Sequence, residues 1–284
     1  MARTTEGRGE HEASNEFVRS VDRAFAIVRA FGRENPSLTL SQVAERTGLT
    51  RASARRFLLT LQALGYVGSE GRQFFLRPRI LDLGFAYLSS VPVFDIVETH
   101  MEAMVQQVQE SSSASVLDGT DVIYTIRVPT RRIMSVQIEV GTRLPAYATS
   151  MGRVLLAALA PAQLDDYFHQ AKMQKLTPLT VTDQKGVRAA IDRAREQGWC
   201  LLDQELEVGV RSVAVPLHDS VGRVFAAMNI STNATRVPAE RLLGEHLPLL
   251  RKTAGAIDEE IRARRSQAPS SAPIAGRARR GRAN

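Results

Sequence analysis

Apolar residues between positions 38 and 64 recur at helical spacing, which predicts two short helices joined by a tight turn. Thr39 and Gln42 form a capping-box pattern at the start of the first helix, and Gly48 can end that helix in the left-handed conformation. Thr50 is a favoured N-cap for the second helix. The second helix has an apolar stripe of Ala54, Phe57, Leu58, Leu61 and Gly65.

The opposite face of the second helix combines small side chains with arginines. The chain has no acidic residue between Arg51 and Ser69, so this face suits the phosphates and base edges of a DNA groove. An ordinary helical hairpin with a solvated basic face has the same pattern and is the alternative at this point.

The flanking sequence favours a winged helix-turn-helix over residues 17–77. A further amphipathic helix precedes the pair, and two short apolar segments after it flank a polar turn at residues 68–72. Arg72 would then lie at the tip of the wing, where contact with phosphates or the minor groove is expected. The candidate DNA-binding residues are Thr39, Thr50, Arg51, Ala52, Ser53, Arg55, Arg56, Thr60 and Arg72.

The rest of the chain is predicted to form a linker helix at residues 78–91 and an α/β domain at residues 92–265. The linker helix has one apolar side, which packs either against its copy in a second subunit or on its own domain. Within the α/β domain the hydrophobic pattern becomes alternating from Ser113, and a third strand is expected at residues 133–138.

Positive charge is concentrated at the two ends of the chain. Residues 1–80 carry 13 Lys and Arg against 8 Asp and Glu, and residues 262–284 carry 7 arginines and no acid. Residues 81–261 carry 17 basic and 22 acidic residues. Contact with a polyanion is therefore expected at the ends. The polar residues 1–16 and the basic residues 266–284 are predicted to be disordered.

The composition narrows the class of protein. No apolar run approaches the ~20 residues that span a bilayer, and the N-terminal residues have no hydrophobic signal sequence. Cys200 is the only cysteine, so a disulfide framework is excluded and a reducing cytoplasm is expected. The five histidines are isolated along the sequence and show no metal-ligand spacing. Neither a metal nor a cofactor is predicted.

Four segments of the second domain resemble the IclR family of bacterial transcriptional regulators. They are GTRLPAYATSMGR at residues 141–153, DQE at 203–205, GVRSVAVP at 209–216 and AAMNIS at 226–231. With the order of winged helix, linker helix and α/β domain, the resemblance covers residues 17–262. The segments LPAYATSMGRVLLA at residues 144–157 and TRASARRFLLTL at 50–61 most resemble the branch that controls protocatechuate and β-ketoadipate breakdown.

The resemblance implies an α+β protein with a winged helix-turn-helix domain, a linker helix and a C-terminal GAF-like α/β effector-binding domain. It also implies a homodimer or a dimer of dimers that binds a palindromic double-stranded DNA operator and a small carboxylic acid as effector.

The start of the helix that Ser150 is predicted to open is a suitable place for a carboxylate. The first N–H groups of a helix have no intrahelical acceptors, and the helix dipole is positive there. The resemblance places backbone donors at Ser150 and Met151 and polar contacts at Asn229 and Ser231. It also places a further contact at Ser212 and apolar wall positions at Val136 and Leu144. The candidate effector-binding residues are Val136, Leu144, Ser150, Met151, Gly152, Ser212, Asn229 and Ser231.

Two other classes of function compete with this hypothesis. The segment ATSMG at residues 148–152 is similar to the G-x-S-x-G nucleophile elbow of serine hydrolases, but it lacks the first glycine. His169, His218 and His246 have no clear acid partner in the order that a triad requires. The helix-turn-helix could also be the scaffold of a protein-interaction module. The sequence therefore favours a cytoplasmic, ligand-responsive, DNA-binding transcriptional regulator without catalysis and without a membrane segment.

Overall fold

The computed structural model describes residues 17–130 and 138–267, which form two compact units that divide between Ser90 and Val91. The N-terminal unit is a three-helix bundle with a small antiparallel sheet in the strand order β1-β3-β2. Its elements are α1 (Arg19–Ala30), β1 (Ser37–Thr39), α2 (Leu40–Thr47), α3 (Arg51–Ala63), β2 (Val67–Glu70), β3 (Gln73–Leu76) and α4 (Leu81–Ser89).

The helix-turn-helix forms as its local sequence predicts. The Thr39 side chain accepts a hydrogen bond from the Gln42 N–H, and the Gln42 side chain accepts one from the Thr39 N–H, which completes the capping box. Gly48 ends α2 with φ +68°, and the Thr50 hydroxyl accepts the Ser53 N–H at the start of α3. The apolar stripes of the helices meet in one core, whose fully buried members include Ile27, Val43, Ala54 and Leu58.

The wing differs from its prediction in two ways. The sheet has an additional strand, β1, which pairs with β3. The turn is also shorter, because Gly68 to Glu70 belong to β2 and only Gly71 and Arg72 separate the two hairpin strands. Gly68 pairs with Phe75 in this ladder. A glycine is needed at position 68 because the Phe75 ring occupies the space that a side chain there would fill.

Helix α4 follows a 3₁₀ turn at Pro78–Ile80 and buries none of its residues. Its apolar side chains are among the most exposed of the N-terminal unit, with Leu81 and Phe85 70% and 69% exposed. Of the two packings left open for this helix, burial of its apolar side against its own domain is not seen among the described residues.

The C-terminal unit has a six-stranded antiparallel sheet in the order β6-β5-β4-β9-β8-β7. Its elements are α5 (Val93–Val108), β4 (Ser111–Asp118), β5 (Asp121–Val128), β6 (Arg143–Pro145), α6 (Ser150–Ala157), α7 (Pro161–Gln170), α8 (Gln184–Gln197), β7 (Cys200–Asp203), β8 (Val210–His218), β9 (Val224–Asn233), α9 (Ala239–Arg241) and α10 (Leu247–Gln267). A π-helical turn at Leu242–His246 joins α9 directly to α10.

Helices cover the two faces of this sheet. Helix α6 packs against the central strands and against α8, and its residues join one apolar core with Tyr124, Ala214 and Ala227. Helices α5 and α10 pack against each other and against β8, β9, β4 and β5. Because side chains alternate along a strand, the buried Met228 and Ile230 lie on the face opposite Ala227.

Several predictions concern residues outside the described ranges. These are the N-terminal residues 1–16, most of the strand expected at 133–138, the candidate wall residue Val136, and the tail beyond residue 267. Among the described helices, none alone is long and apolar enough to cross a membrane, although Pro78–Ser89 and Val93–Val108 taken together meet that test of length and composition.

Candidate functional site

Helix α3 presents the predicted DNA-binding face to solvent. Arg51, Ala52, Arg55, Arg56 and Thr60 are exposed, while Ala54, Leu58 and Leu61 of the same helix are buried in the domain core. The four arginines of the hypothesis, counting Arg72 at the wing turn, have no carboxylate within ion-pair distance among the described residues. Their charge is therefore available to phosphates.

The threonines of this hypothesis already have hydrogen bonds within the unit. The Thr39 hydroxyl donates to Gln42 Oε1 at 2.9 Å, and the Thr60 hydroxyl donates to the Arg56 carbonyl at 2.9 Å. Thr50 Oγ1 accepts the N–H of Ser53 at 3.2 Å. The Thr39 and Thr50 contacts cap the starts of α2 and α3, and the Thr60 contact lies within α3. The arginines are therefore the side chains best placed to contact DNA.

A polar cavity lies against one face of the C-terminal sheet, and we call it the effector cavity. Its walls come from β4, β5, β7, β8 and β9, from the start of α6, and from the segments that flank these elements. The cavity is narrow, with room for little more than a water molecule, so an organic ligand must move its walls apart. The lining residues are Ser113, Tyr124, Arg127, Ile138, Thr149, Ser150, Leu202, Leu206, Val210, Ser212, Asn229 and Ser231.

Strand register brings the polar lining together in two adjacent rows. Arg127, Ser113 and Asn229 are successive cross-strand partners on β5, β4 and β9. Ser212 on β8 faces Ser231 on β9 in the next row. Directly paired residues point to the same face of a sheet, so all five side chains lie on the cavity side.

Within these rows, some hydrogen-bonding groups are occupied and others are available. Asn229 Oδ1 accepts the Ser113 N–H at 3.0 Å, which leaves the Nδ2 group without a partner among the described residues. Ser231 is 8% exposed, and the same part of the chain offers no partner to its hydroxyl. The Ser150 and Ser212 hydroxyls lie 2.8 Å apart. The cavity thus offers one amide and several hydroxyl groups to a ligand.

The helix start at the cavity differs by one residue from the prediction. The N-cap of α6 is Thr149, whose hydroxyl accepts the Gly152 N–H at 3.0 Å, and Ser150 is the first helical residue. The Gly152 donor is therefore not free for a ligand, and a side chain at that position would overlap the Ala146 carbonyl. Among the described residues, no acceptor is found for the N–H groups of Ser150 and Met151.

Two members of the lining were not selected from the sequence and change its electrostatics. Arg127 is half-buried, and its Nη1 donates to Ser113 Oγ at 3.3 Å. Burial lowers the pKa of Arg127, and burial raises the pKa of Tyr124 to about 12. A β-bulge between Ala114 and Ser115 shifts the pairing with β5 by one residue, so Tyr124 and Arg127 face the same side despite their odd spacing.

Other candidate residues lie outside the lining. Leu144 packs against the apolar core, and the Met151 side chain is fully buried with its sulfur 3.4 Å from Ser115 Oγ. Asp203, which adjoins a lining residue, pairs instead with Arg211 at 2.9 and 2.8 Å. Leu144 therefore shapes the core, and any role of Met151 comes from its backbone.

Two family models match the chain. The IclR helix-turn-helix domain matches residues 20–71, and the bacterial transcriptional regulator IclR C-terminal domain matches residues 85–259. The chain belongs to the IclR family. It is therefore a DNA-binding transcriptional regulator, with an α/β domain of the IclR type behind the helix-turn-helix.

Individual IclR proteins resemble the chain over most of its length. The Pca regulon regulatory protein of Pseudomonas putida is 42% identical over 236 residues, which are 83% of this chain and 81% of that protein. A crystal structure from Rhodococcus sp. RHA1, described as a transcriptional regulator, is 49% identical with a TM-score of 0.78 and covers 87% of this chain and 99% of its own. A double mutant of the Acinetobacter PobR inducer-binding domain, in complex with 3-hydroxybenzoic acid, is 31% identical with a TM-score of 0.55 and covers 58% of this chain and 96% of its own.

Proposed function

We propose that this IclR-family protein controls transcription in response to a small organic acid, aromatic or dicarboxylic, that binds in the effector cavity. The observation that carries the proposal is the convergence of Ser212, Asn229 and Ser231 with the open start of α6 on one cavity. The effector carboxylate rests on the N–H groups of Ser150 and Met151, while Asn229 and Ser231 hold the far end.

The relatives support control of aromatic-compound breakdown. One is a regulator of a Pca regulon, and another is an inducer-binding domain with a hydroxybenzoic acid bound. We extend this chemistry to the present chain because the cavity combines hydroxyl and amide donors with the apolar side chains of Ile138, Leu202 and Leu206.

On the DNA side, we propose that Arg56 contacts base edges while Arg51, Arg55 and Arg72 bind phosphates. Arg56 lies on the face of α3 opposite the buried stripe, beside the small residue Ala52 and close in sequence to Ser53. Arginine is the side chain that most often hydrogen-bonds guanine in the major groove, which supports this division of roles.

We propose that the regulator is a homodimer, or a dimer of dimers, on a palindromic operator. The apolar surface of α4 supports this, since Leu81 and Phe85 are more than two-thirds exposed and such surfaces usually mark an interface. Two helix-turn-helix units related by a two-fold axis would contact two half-sites about one helical turn apart. We place the protein in the cytoplasm, where its operator lies.

A serine hydrolase is the competing enzyme hypothesis, and the surroundings of Ser150 favour the regulator. The Ser150 hydroxyl is paired with Ser212, and no histidine is among the residues that line the cavity. The acid–base pair of His218 and Asp258 lines a different groove. We therefore propose a function without catalysis and without a cofactor.

The experiment measures DNA binding of the full chain to its own promoter fragment by fluorescence anisotropy, with and without 4-hydroxybenzoate, protocatechuate and adipate. Each acid is first screened by thermal shift, since a ligand at a hundred times its Kd stabilises the folded state by ~2.7 kcal/mol. We expect at least one acid to raise the melting temperature and to change operator affinity. If no organic acid stabilises the protein, the effector hypothesis is wrong. If binding to DNA lacks salt dependence, the DNA-binding hypothesis is wrong.

A further inference from the structure

Arg127 has an unusual environment for a half-buried cation in the C-terminal unit. Its Nη1 donates to the neutral hydroxyl of Ser113 at 3.3 Å, and among the described residues no carboxylate lies within ion-pair distance of it. A guanidinium that loses water without gaining an anion is energetically costly. Three other arginines of this unit each form two hydrogen bonds with one carboxylate. The pairs are Arg153–Glu205, Arg211–Asp203 and Arg236–Glu110.

The effector cavity therefore has two positively polarised ends. One end is the start of α6, where Ser150 meets Ser212 of β8. The other end is Arg127 on β5. Strands β4 and β9 lie between β5 and β8, so the two backbones are three strand spacings, or about 14 Å, apart. Because the cavity has room for little more than a water molecule, a ligand that reaches both ends must move its walls apart.

The lining itself supplies no negative charge to either end. None of the described residues that form the walls is Asp or Glu, and the polar groups of the lining include the hydroxyl of Ser231 and the amide of Asn229. A monocarboxylate can neutralise only one end and leaves the other without an anion. A ligand with two acidic groups can satisfy both.

We propose that Arg127 binds the second carboxylate of the effector and thereby makes the cavity selective for dicarboxylates over monocarboxylates. This inference rests on the proposed function, in which the first carboxylate lies at the start of α6. Arg127 would then discriminate between ligands of similar size that differ in a second carboxylate, because a guanidinium binds a carboxylate through two parallel hydrogen bonds.

The test compares two matched pairs of probes, adipate with hexanoate and terephthalate with benzoate, by isothermal titration calorimetry on the full-length protein. Each pair differs mainly in the second carboxylate. We expect the parent protein to prefer the diacid by roughly 10- to 100-fold, as befits one charged hydrogen-bonded contact. Arg127→Met should abolish that preference and leave the affinity for the monoacid nearly unchanged, while Arg127→Lys should restore part of it.

Arg143→Met is the matched control. Arg143 lies on β6 of the same unit, is paired with Asp118 and Asp121 and does not line the cavity, so its loss should leave the diacid preference intact. Chemical denaturation of the ligand-free variants establishes that each is folded, and Arg127→Gln replaces Arg127→Met if the latter is not.

The outcomes separate this inference from the proposed function. If Arg127→Met keeps the diacid preference, or loses mono- and diacids equally, the role of Arg127 is refuted while the effector cavity stands. If the parent binds hydroxybenzoates and monoacids as tightly as diacids, selectivity for dicarboxylates is likewise refuted. If the parent binds no acid of any class, the proposed function fails and this inference fails with it.

Discussion

Replacing Ser231 by alanine should weaken effector binding while leaving the ligand-free protein almost as stable as the parent. The Ser231 hydroxyl lines the effector cavity and has no partner among the described residues, so its removal breaks no hydrogen bond that holds the fold. We therefore expect the free energy of unfolding to change by less than about 0.5 kcal/mol. If the ligand forms a hydrogen bond with this hydroxyl, the substitution lowers the binding free energy by about 0.5–1.5 kcal/mol. The Kd then rises roughly 2- to 13-fold.

Asn229→Ala should behave differently because its amide serves both the fold and the cavity. Asn229 Oδ1 accepts the buried Ser113 N–H at 3.0 Å, and truncation removes that hydrogen bond. We expect about 0.5–1.5 kcal/mol less free energy of unfolding, in addition to weaker effector binding. We therefore expect Ser231→Ala to lower only the affinity for the effector, and Asn229→Ala to lower both that affinity and the stability of the fold.

Ser112→Ala is the matched control for both variants. Ser112 is also a buried serine, but it points away from the cavity and its hydroxyl donates to the Asn229 carbonyl at 2.6 Å. It should lose about 0.5–1.5 kcal/mol of stability with no change in Kd. Urea denaturation followed by circular dichroism gives the first quantity, and calorimetric titration with the best acid of the thermal-shift screen gives the second. A Ser231→Ala variant destabilised by more than about 1 kcal/mol, or an unchanged Kd in both cavity variants, would refute the reasoning.

Three further predictions concern the rest of the chain. Arg56→Ala should cost ~1–3 kcal/mol of operator binding and relax specificity at one base pair, and uniform weakening across operator variants would assign Arg56 to phosphate contact instead. Deleting residues 266–284 should flatten the dependence of log K on log salt without altering sequence preference, and a changed preference would contradict this role for the basic tail. Arg153→Met should destabilise the fold by about 3–5 kcal/mol because it strands the buried Glu205 carboxylate, whereas Arg153→Met/Glu205→Leu should lose much less in urea denaturation.

The amino-acid sequence by itself determined the helix-turn-helix and its exposed arginines. The capping box at Thr39, the left-handed Gly48 and the N-cap Thr50 act between residues at most four positions apart, so the pattern of residues is enough to predict them. The exposed position of Arg56 follows from helical periodicity alone, once the buried stripe is known. The same local logic missed strand β1, whose partner lies more than thirty positions away at β3.

The effector cavity shows what only the tertiary structure could decide. Resemblance to a family selected Ser150, Asn229 and Ser231. No property of the sequence around Arg127 places it in one cross-strand row with Asn229, which comes about a hundred residues later and lies two strands away. That neighbourhood depends on strand order and on the bulge after Ala114, because a shift of one residue turns a side chain to the other face of a sheet. The position of the Arg127 charge in the cavity is therefore set by the pairing register of β5, β4 and β9. Register depends on contacts between segments that are distant in the sequence, so no single segment predicts it.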